Sequence, residues 1–147
     1  LQENCPGWMY QVKCGATTTW ERWDALKPDG TVNEEKMAGS GENMVSFNHY
    51  AFGSVGEFYY QYILGIRPEK LGFAKLHFAP YPDERLGGVS GSYLSVAGKI
   101  ESAWRYEPDG CHIRLATPVE AVVLLPDGRS ENVPAGTYEW TVKRPNL

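Results

Sequence analysis

The chain has 147 residues, 42% of them hydrophobic, and a formal net charge of −4 without a long run of one sign. This balance argues against a nucleic-acid partner, which needs a basic face, and no apolar run approaches the roughly 20 residues of a membrane span. The chain has an odd number of cysteines, and their spacing is not that of metal ligands: Cys5, Cys14 and Cys111. We therefore expect no metal site and no cofactor. The composition does not indicate a compartment.

The beginning of the chain is predicted to be helix and loop. Residues 7–14 are predicted to form a short helix that Gly15 ends, because glycine is common just after a helix. Residues 16–24 are predicted to be irregular or a second short helix, since consecutive threonines disfavour helix. Residues 25–43 carry Pro28-Asp29-Gly30 and further glycines, a composition typical of a loop.

A longer helix is predicted from Met44 to Leu64, where apolar residues recur every three or four positions. Asn43 or Ser46 is the predicted cap of its first turn. Gly65 is predicted to end the helix, and Pro68 follows soon afterwards.

The second half changes to the alternating period of β-strands. Strands are predicted over residues 73–80, 90–96, 98–106, 112–116, 119–125 and 136–142. Turns at Pro108-Asp109-Gly110 and Pro126-Asp127-Gly128 join two pairs of them as hairpins. Short strands at near-regular spacing predict an antiparallel β-sandwich, with the boundary between the halves near residues 65–72.

Residues 15–24 combine flat apolar rings with polar groups in a short stretch. Trp20 and Trp23 supply the rings, and Glu21, Arg22 and Asp24 supply the charges. This mixture suits a sugar, which has apolar C–H faces and a rim of hydroxyls. The alternative is that the tryptophans belong to a core and the charges form a local ion pair.

Three ordered segments carry a resemblance to a known family. They are Gly15-Ala16-Thr17-Thr18-Thr19-Trp20-Glu21-Arg22-Trp23-Asp24, then Pro28-Asp29-Gly30, then Ser46-Phe47-Asn48-His49-Tyr50-Ala51-Phe52-Gly53-Ser54-Val55. Together they resemble the end of the catalytic domain of bacterial and fungal α-L-rhamnosidases of glycoside hydrolase family 78. With residues 33–43, the loop is longer than the usual family spacing between the glutamate, here Glu21, and the histidine, here His49.

The resemblance implies an α+β chain in two parts. Residues 1–66 would be the last helices of an (α/α)6 catalytic barrel, and residues 67–147 would be a C-terminal antiparallel β-sandwich. Since such catalytic domains are several times larger and the chain begins at Leu1, we expect a fragment of a longer enzyme. Its partners would be a rhamnose-containing glycoside and the remainder of its own catalytic domain.

The resemblance also implies roles for individual residues. Glu21 matches the family's general base in an inverting reaction, which needs two carboxyl groups about 6.5–9.5 Å apart. His49 matches a histidine of the sugar-binding subsite. Trp20 and Trp23 either stack on the sugar or wall the barrel, and Asp24 and Arg22 are expected to pair and brace the loop.

No segment matches the part of the family that carries the general acid. We therefore expect this fragment alone to be inactive. Two other functions stay open for the second half: a structural cap on the barrel, or a non-catalytic carbohydrate-binding module. The binding module would use an exposed aromatic strip made of Tyr93, Trp104, Tyr106, Tyr138 and Trp140.

Overall fold

A computed structural model describes residues 4–35 and 45–143 of the chain. It contains two compact units, Leu1–Val55 and Gly56–Leu147. The predicted division into residues 1–66 and 67–147 stays a prediction. None of the helices in these described ranges has the length and apolar character needed to cross a membrane.

In the first unit, the described residues 4–35 form a short helix followed by irregular chain. Helix α1 spans Trp8–Lys13, which confirms the predicted short helix. Gly15 follows it with φ of 79°, a conformation that glycine adopts without steric cost. Pro28-Asp29-Gly30 forms the expected turn, because the Thr31 N–H donates to Oδ1 of Asp29 at 2.9 Å.

The long helix begins later than predicted. A 3₁₀ turn covers Ala51–Ser54, helix α2 covers Val55–Phe58, and a π-helical turn covers Tyr59–Ile63. The predicted start at Met44 and the cap at Asn43 lie outside the described residues, as does most of the insertion at 33–43. Residues 45–50 are not helical, because their backbone groups bond to an earlier segment instead.

The second unit is a β-sandwich of two four-stranded sheets. Its strands are β1 Ile66–Lys70, β2 Lys75–Phe78, β3 Gly88–Ser95, β4 Gly98–Glu107, β5 Gly110–Thr117, β6 Ala121–Leu124, β7 Ser130–Val133 and β8 Gly136–Val142. One sheet has the order β1-β2-β6-β7 and the other β3-β4-β5-β8. The predicted fold class, a few helices followed by a β-sandwich, is confirmed.

Three details of the sandwich differ from the predicted strands. Strand β2 pairs with β6 in parallel, and every other pair is antiparallel among the described residues. Strands β1 and β7 are additional. Strand β1 contains Pro68 and β7 is mostly exposed, so neither shows the apolar alternation that identifies a strand in a sequence.

The core lies between the two sheets. Its largest fully buried side chains include Trp104, Phe78 and Ile100. Strand β4 also holds the end of the preceding helical segment. The Trp104 indole N–H donates to the Ile63 carbonyl at 2.7 Å, and the Ser102 hydroxyl donates to the Leu64 carbonyl at 2.7 Å. These side chains satisfy two carbonyls that a helix end leaves without backbone partners.

Candidate functional site

Backbone hydrogen bonds bring together the two segments that carry the predicted site. The Glu21 N–H donates to the Ser46 carbonyl at 2.9 Å, and the His49 N–H donates to the Thr19 carbonyl at 2.8 Å. The Thr19 hydroxyl returns a bond of 2.6 Å to the His49 carbonyl. The polar threonines that disfavour helix thus fix two loops side by side, and Glu21 and His49 lie on neighbouring stretches of backbone.

Glu21 is a half-buried carboxylate with one oxygen held in place. The Ser46 N–H donates to its Oε2 at 2.9 Å. Within residues 4–35 and 45–143, Oε1 has no hydrogen-bond partner. The side chain is therefore oriented by the protein while one oxygen remains able to accept a proton.

Arg22 pairs with Asp24 and not with Glu21, which confirms the expected brace. Nε and Nη2 of Arg22 donate to the two carboxylate oxygens of Asp24 at 2.6 and 3.0 Å. The Asn33 side chain donates to Asp24 as well, at 2.9 Å, and Nη1 of Arg22 reaches the Glu35 carbonyl at 2.8 Å.

This fork-shaped ion pair fixes the charge of both partners. The hydrogen bond from Arg22 lowers the pKa of the Asp24 carboxyl, and the same bond raises the pKa of the Arg22 guanidinium. Asp24 is thus an ionised, fully engaged carboxylate that braces the loop. Of the two carboxylates in the motif, Glu21 is the one left available for proton transfer.

His49 is half-buried, and its ring orientation is defined by two contacts. The Ala51 N–H approaches Nδ1 at 3.3 Å, and the ring stacks on Tyr50 with a centroid distance of 5.3 Å. Because Nδ1 accepts a hydrogen bond, Nε2 is the ring nitrogen that carries a proton and can donate. That Nε2–H is a donor suited to a sugar hydroxyl.

The two tryptophans of the motif have different environments. Trp20 is only 3% exposed and meets the Phe47 ring edge-on at 5.3 Å, which favours the alternative in which it walls the barrel. Trp23 is 39% exposed and stacks on Phe52 at 5.1 Å. Of the two rings, Trp23 is the one with a surface able to meet a ligand in this unit.

Gln11 holds the backbone next to the motif, a role that no pattern in the sequence predicts. Its side chain is 4% exposed, and its Oε1 accepts the Trp20 N–H at 3.2 Å. The Nε2 of Gln11 is buried and has no hydrogen-bond partner in the part of the chain that the structure describes. Gln11 fixes the backbone immediately before Glu21. One polar residue on a short helix does not reveal, in a sequence, that its side chain binds the backbone of another segment.

The aromatic strip predicted for the sandwich is not an exposed line. Trp104 is 2% exposed and belongs to the core, against which Tyr106, Tyr138 and Trp140 also pack. Tyr93 is the exposed member, at 39%. Side chains alternate between the two faces of each strand, and most of these rings lie on the face that packs against the other sheet. Large aromatic side chains bury much apolar surface there.

One cluster in the described residues has the donor atoms of a metal site. Glu107, Asp109 and His112 offer ligand atoms that all lie within 4.8 Å of one another. Nε2 of His112 is 2.8 Å from Oδ1 of Asp109, and this bond raises the pKa of His112. The hydrogen bond and charges explain the cluster as an exposed ion pair at a hairpin, which needs no metal.

Two models of protein families match the chain. The bacterial alpha-L-rhamnosidase 6 hairpin glycosidase domain matches residues 1–63. The bacterial alpha-L-rhamnosidase C-terminal domain matches residues 65–139.

Known proteins and solved structures agree with these matches. An alpha-L-rhamnosidase of Alteromonas sp. (strain LOR) is 34% identical over 118 residues, which are 80% of this chain and 12% of that protein. The native enzyme of Aspergillus terreus has a TM-score of 0.80 at 34% identity, over 96% of this chain and 16% of the other. The Streptomyces avermitilis enzyme complexed with L-rhamnose has a TM-score of 0.78 at 30% identity, over 97% and 15%. The chain thus spans only 12–16% of these relatives.

Proposed function

Because this chain belongs to the bacterial α-L-rhamnosidase family, we propose that the complete protein is an inverting α-L-rhamnosidase and that Glu21 is its general base. The substrate would be a glycoside with a terminal α-L-rhamnose. The arrangement of Glu21 carries the proposal: Ser46 holds one carboxylate oxygen at 2.9 Å, and the other lacks a partner among the described residues.

In the proposed reaction Glu21 removes a proton from a water molecule that attacks the anomeric carbon. A carboxylic acid on the opposite side of the sugar protonates the leaving oxygen. Arg22 does not form an ion pair with Glu21, because its guanidinium is occupied by Asp24. A base that is oriented without being neutralised by an ion pair keeps its ability to accept a proton.

We assign sugar contacts to the residues around the base. His49 would donate from Nε2 to a hydroxyl of the rhamnose, and the exposed ring of Trp23 would pack against its apolar face. Trp20 would contribute by walling this side of the site, because it is 3% exposed.

The remaining parts of the machinery would come from outside this chain. We propose that the general acid and most of the sugar pocket lie elsewhere in the barrel, so that the chain alone does not hydrolyse a rhamnoside. Residues 1–66 would then be the catalytic part and residues 67–147 a structural β-sandwich. The buried aromatic rings of the sandwich support the structural role.

Substitution of Glu21 by Gln in the complete protein tests the assignment of the base. Glutamine retains an oxygen for the Ser46 N–H but cannot take a proton, so kcat on an aryl α-L-rhamnoside should fall about 10²–10⁴-fold. The melting temperature should be unchanged. Glu34→Gln is the matched control, since Glu34 is an exposed glutamate outside the site. An active Glu21→Gln enzyme would refute the base assignment.

The stereochemistry of the first product tests the inverting mechanism separately. Proton NMR of the reaction should show the β-anomer of L-rhamnose before mutarotation. The α-anomer as first product would mean that a covalent intermediate forms and that Glu21 does not act on water directly.

A further inference from the structure

The outer face of the sheet β3-β4-β5-β8 contains a polar groove of about 440 Å³. Two rows of side chains cross the four strands side by side. One row runs Ser90, Ala103, Arg114, Glu139, and the neighbouring row runs Gly88, Arg105, His112, Thr141. All eight residues line the groove.

Small residues create the space. At the β3 side of the groove, Gly88 lies opposite Arg105 and Ser90 lies opposite Ala103. A Cβ atom at Gly88 would approach the Trp104 carbonyl oxygen to 3.0 Å and the Arg105 Cβ to 3.3 Å. The glycine therefore permits the close approach of β3 to the Arg105 position.

Arg105 is distinguished by its lack of a partner. Within residues 4–35 and 45–143, its guanidinium makes no hydrogen bond and no ion pair. The other arginines that the structure describes are each engaged by a protein group: Arg22, Arg67, Arg85, Arg114 and Arg129. An exposed guanidinium beside a concave surface is a ready donor for a carboxylate, which it can bind through two parallel hydrogen bonds.

The rest of the groove offers both donors and acceptors. Arg114 lies between Glu101 at 3.4 Å and Glu139 at 3.9 Å. His112 contacts the Thr141 hydroxyl at 3.4 Å. Alternating charged and hydroxyl groups suit the hydroxyls of a sugar, and the volume falls in the range of small-ligand pockets. The lining holds two arginines and a histidine against Glu107 and Glu139, although the whole chain is acidic.

We propose that this groove binds an acidic sugar unit, with the uronate carboxylate on Arg105 and the ring hydroxyls along the Arg114–Glu139 row. None of the residues that line the groove is one of the proposed catalytic or sugar-binding residues. Its role would be to retain a polysaccharide that carries uronic acids while the catalytic site acts on a terminal sugar. The proposal uses the family membership but does not depend on the role of Glu21.

Calorimetric titration of the complete protein tests the groove with two sugars that differ at one position. Methyl β-D-glucuronide carries a carboxylate at C6, and methyl β-D-glucoside carries a hydroxymethyl group there. We expect the glucuronide to bind and the glucoside to bind at least about tenfold more weakly, with the difference shrinking as salt increases. Equal binding of both sugars, or no binding of the glucuronide, would overturn the proposal.

Three variants locate the binding. Arg105→Gln should weaken the glucuronide at least about tenfold, and Ala103→Gln should do the same by filling the groove without changing its charge. Arg85→Gln is the control, because Arg85 is exposed, pairs with Asp83 and does not line the groove. Unchanged affinity in Arg105→Gln, or an equal loss in Arg85→Gln, would overturn the assignment.

Glu21→Gln separates this proposal from the catalytic one. The variant should lose rhamnoside hydrolysis and retain glucuronide binding. Loss of glucuronide binding in Glu21→Gln would place that sugar in the catalytic site and would overturn the groove.

Discussion

The attachment of the helical segment to the sandwich can be tested by removing one hydroxyl group. The Ser102 side chain is 2% exposed, and its hydroxyl donates to the Leu64 carbonyl at 2.7 Å. Ser102→Ala removes the donor and leaves that carbonyl beside a buried leucine without its partner. An unsatisfied buried polar group costs about 1–3 kcal/mol, so we expect the free energy of unfolding to fall by that amount.

Urea denaturation followed by far-ultraviolet circular dichroism measures the loss. For a slope of about 2 kcal/mol per molar urea, a loss of about 2 kcal/mol lowers the midpoint by about 1 M, with the slope unchanged. Ser92→Ala is the matched control, since Ser92 is exposed on the neighbouring strand β3 and should stay within about 0.5 kcal/mol of the wild type. Equal midpoints for Ser102→Ala and Ser92→Ala would refute the reasoning.

A double-mutant cycle with Trp104 tests whether the two bonds act together. Trp104→Phe removes the N–H that binds the Ile63 carbonyl and leaves a cavity, so it should cost more than Ser102→Ala. The two carbonyls are adjacent in the chain, and releasing one loosens the other. We expect the double variant to lose less than the sum of the single losses, by at least about 0.5 kcal/mol. Strict additivity would mean that the bonds are independent.

Three further predictions concern backbone and charge. Gly65→Ala should lower the free energy of unfolding by more than about 2 kcal/mol, because a Cβ there would lie 2.1 Å from the backbone nitrogen of Pro80. Gly72→Ala is the control, since Gly72 also has a positive φ but a Cβ there would come no closer than 3.5 Å to a neighbour. It should lower the free energy of unfolding by less in the same urea titration. Arg22 lowers the pKa of Asp24, so ionised Asp24 stabilises the fold at pH values above its ordinary pKa of 3.8. The difference in melting temperature between the wild type and Asp24→Asn should therefore disappear as the pH falls below about 4. A difference that does not change with pH would contradict this. Asp109 raises the pKa of His112, so protonated His112 stabilises the fold at pH values below its ordinary pKa of 6.5. The difference in melting temperature between the wild type and His112→Gln should therefore narrow as the pH rises above 6.5. A difference that widens over this range would contradict the prediction.

Local patterns were sufficient for several elements. Alternating apolar residues in β4 and β5 identified two strands, because a period of two is typical of one buried face. The turn at Pro108-Asp109-Gly110 between them was predicted from residue types that favour turns. Gly65 was predicted as the helix end, and it has a φ of 72° there.

The same kind of local pattern predicted the wrong start for the long helix. Residues 45–50 carry helical spacing, but Ser46 and His49 form backbone bonds with Glu21 and Thr19. These bonds join residues 25 and 30 positions apart and compete with the i to i+4 bonds of a helix. A short window of sequence does not contain the competing partner.

The sequence by itself determined the family and the residue types available for chemistry. The motif from Gly15 to Asp24 and the segment around His49 were sufficient for both. The tertiary structure decided that Asp24 occupies Arg22, that Trp20 is buried while Trp23 is exposed, and that Arg105 lines a groove. These outcomes depend on which side chains meet across loops and strands, and such meetings follow from long-range packing and not from the identity of neighbouring residues.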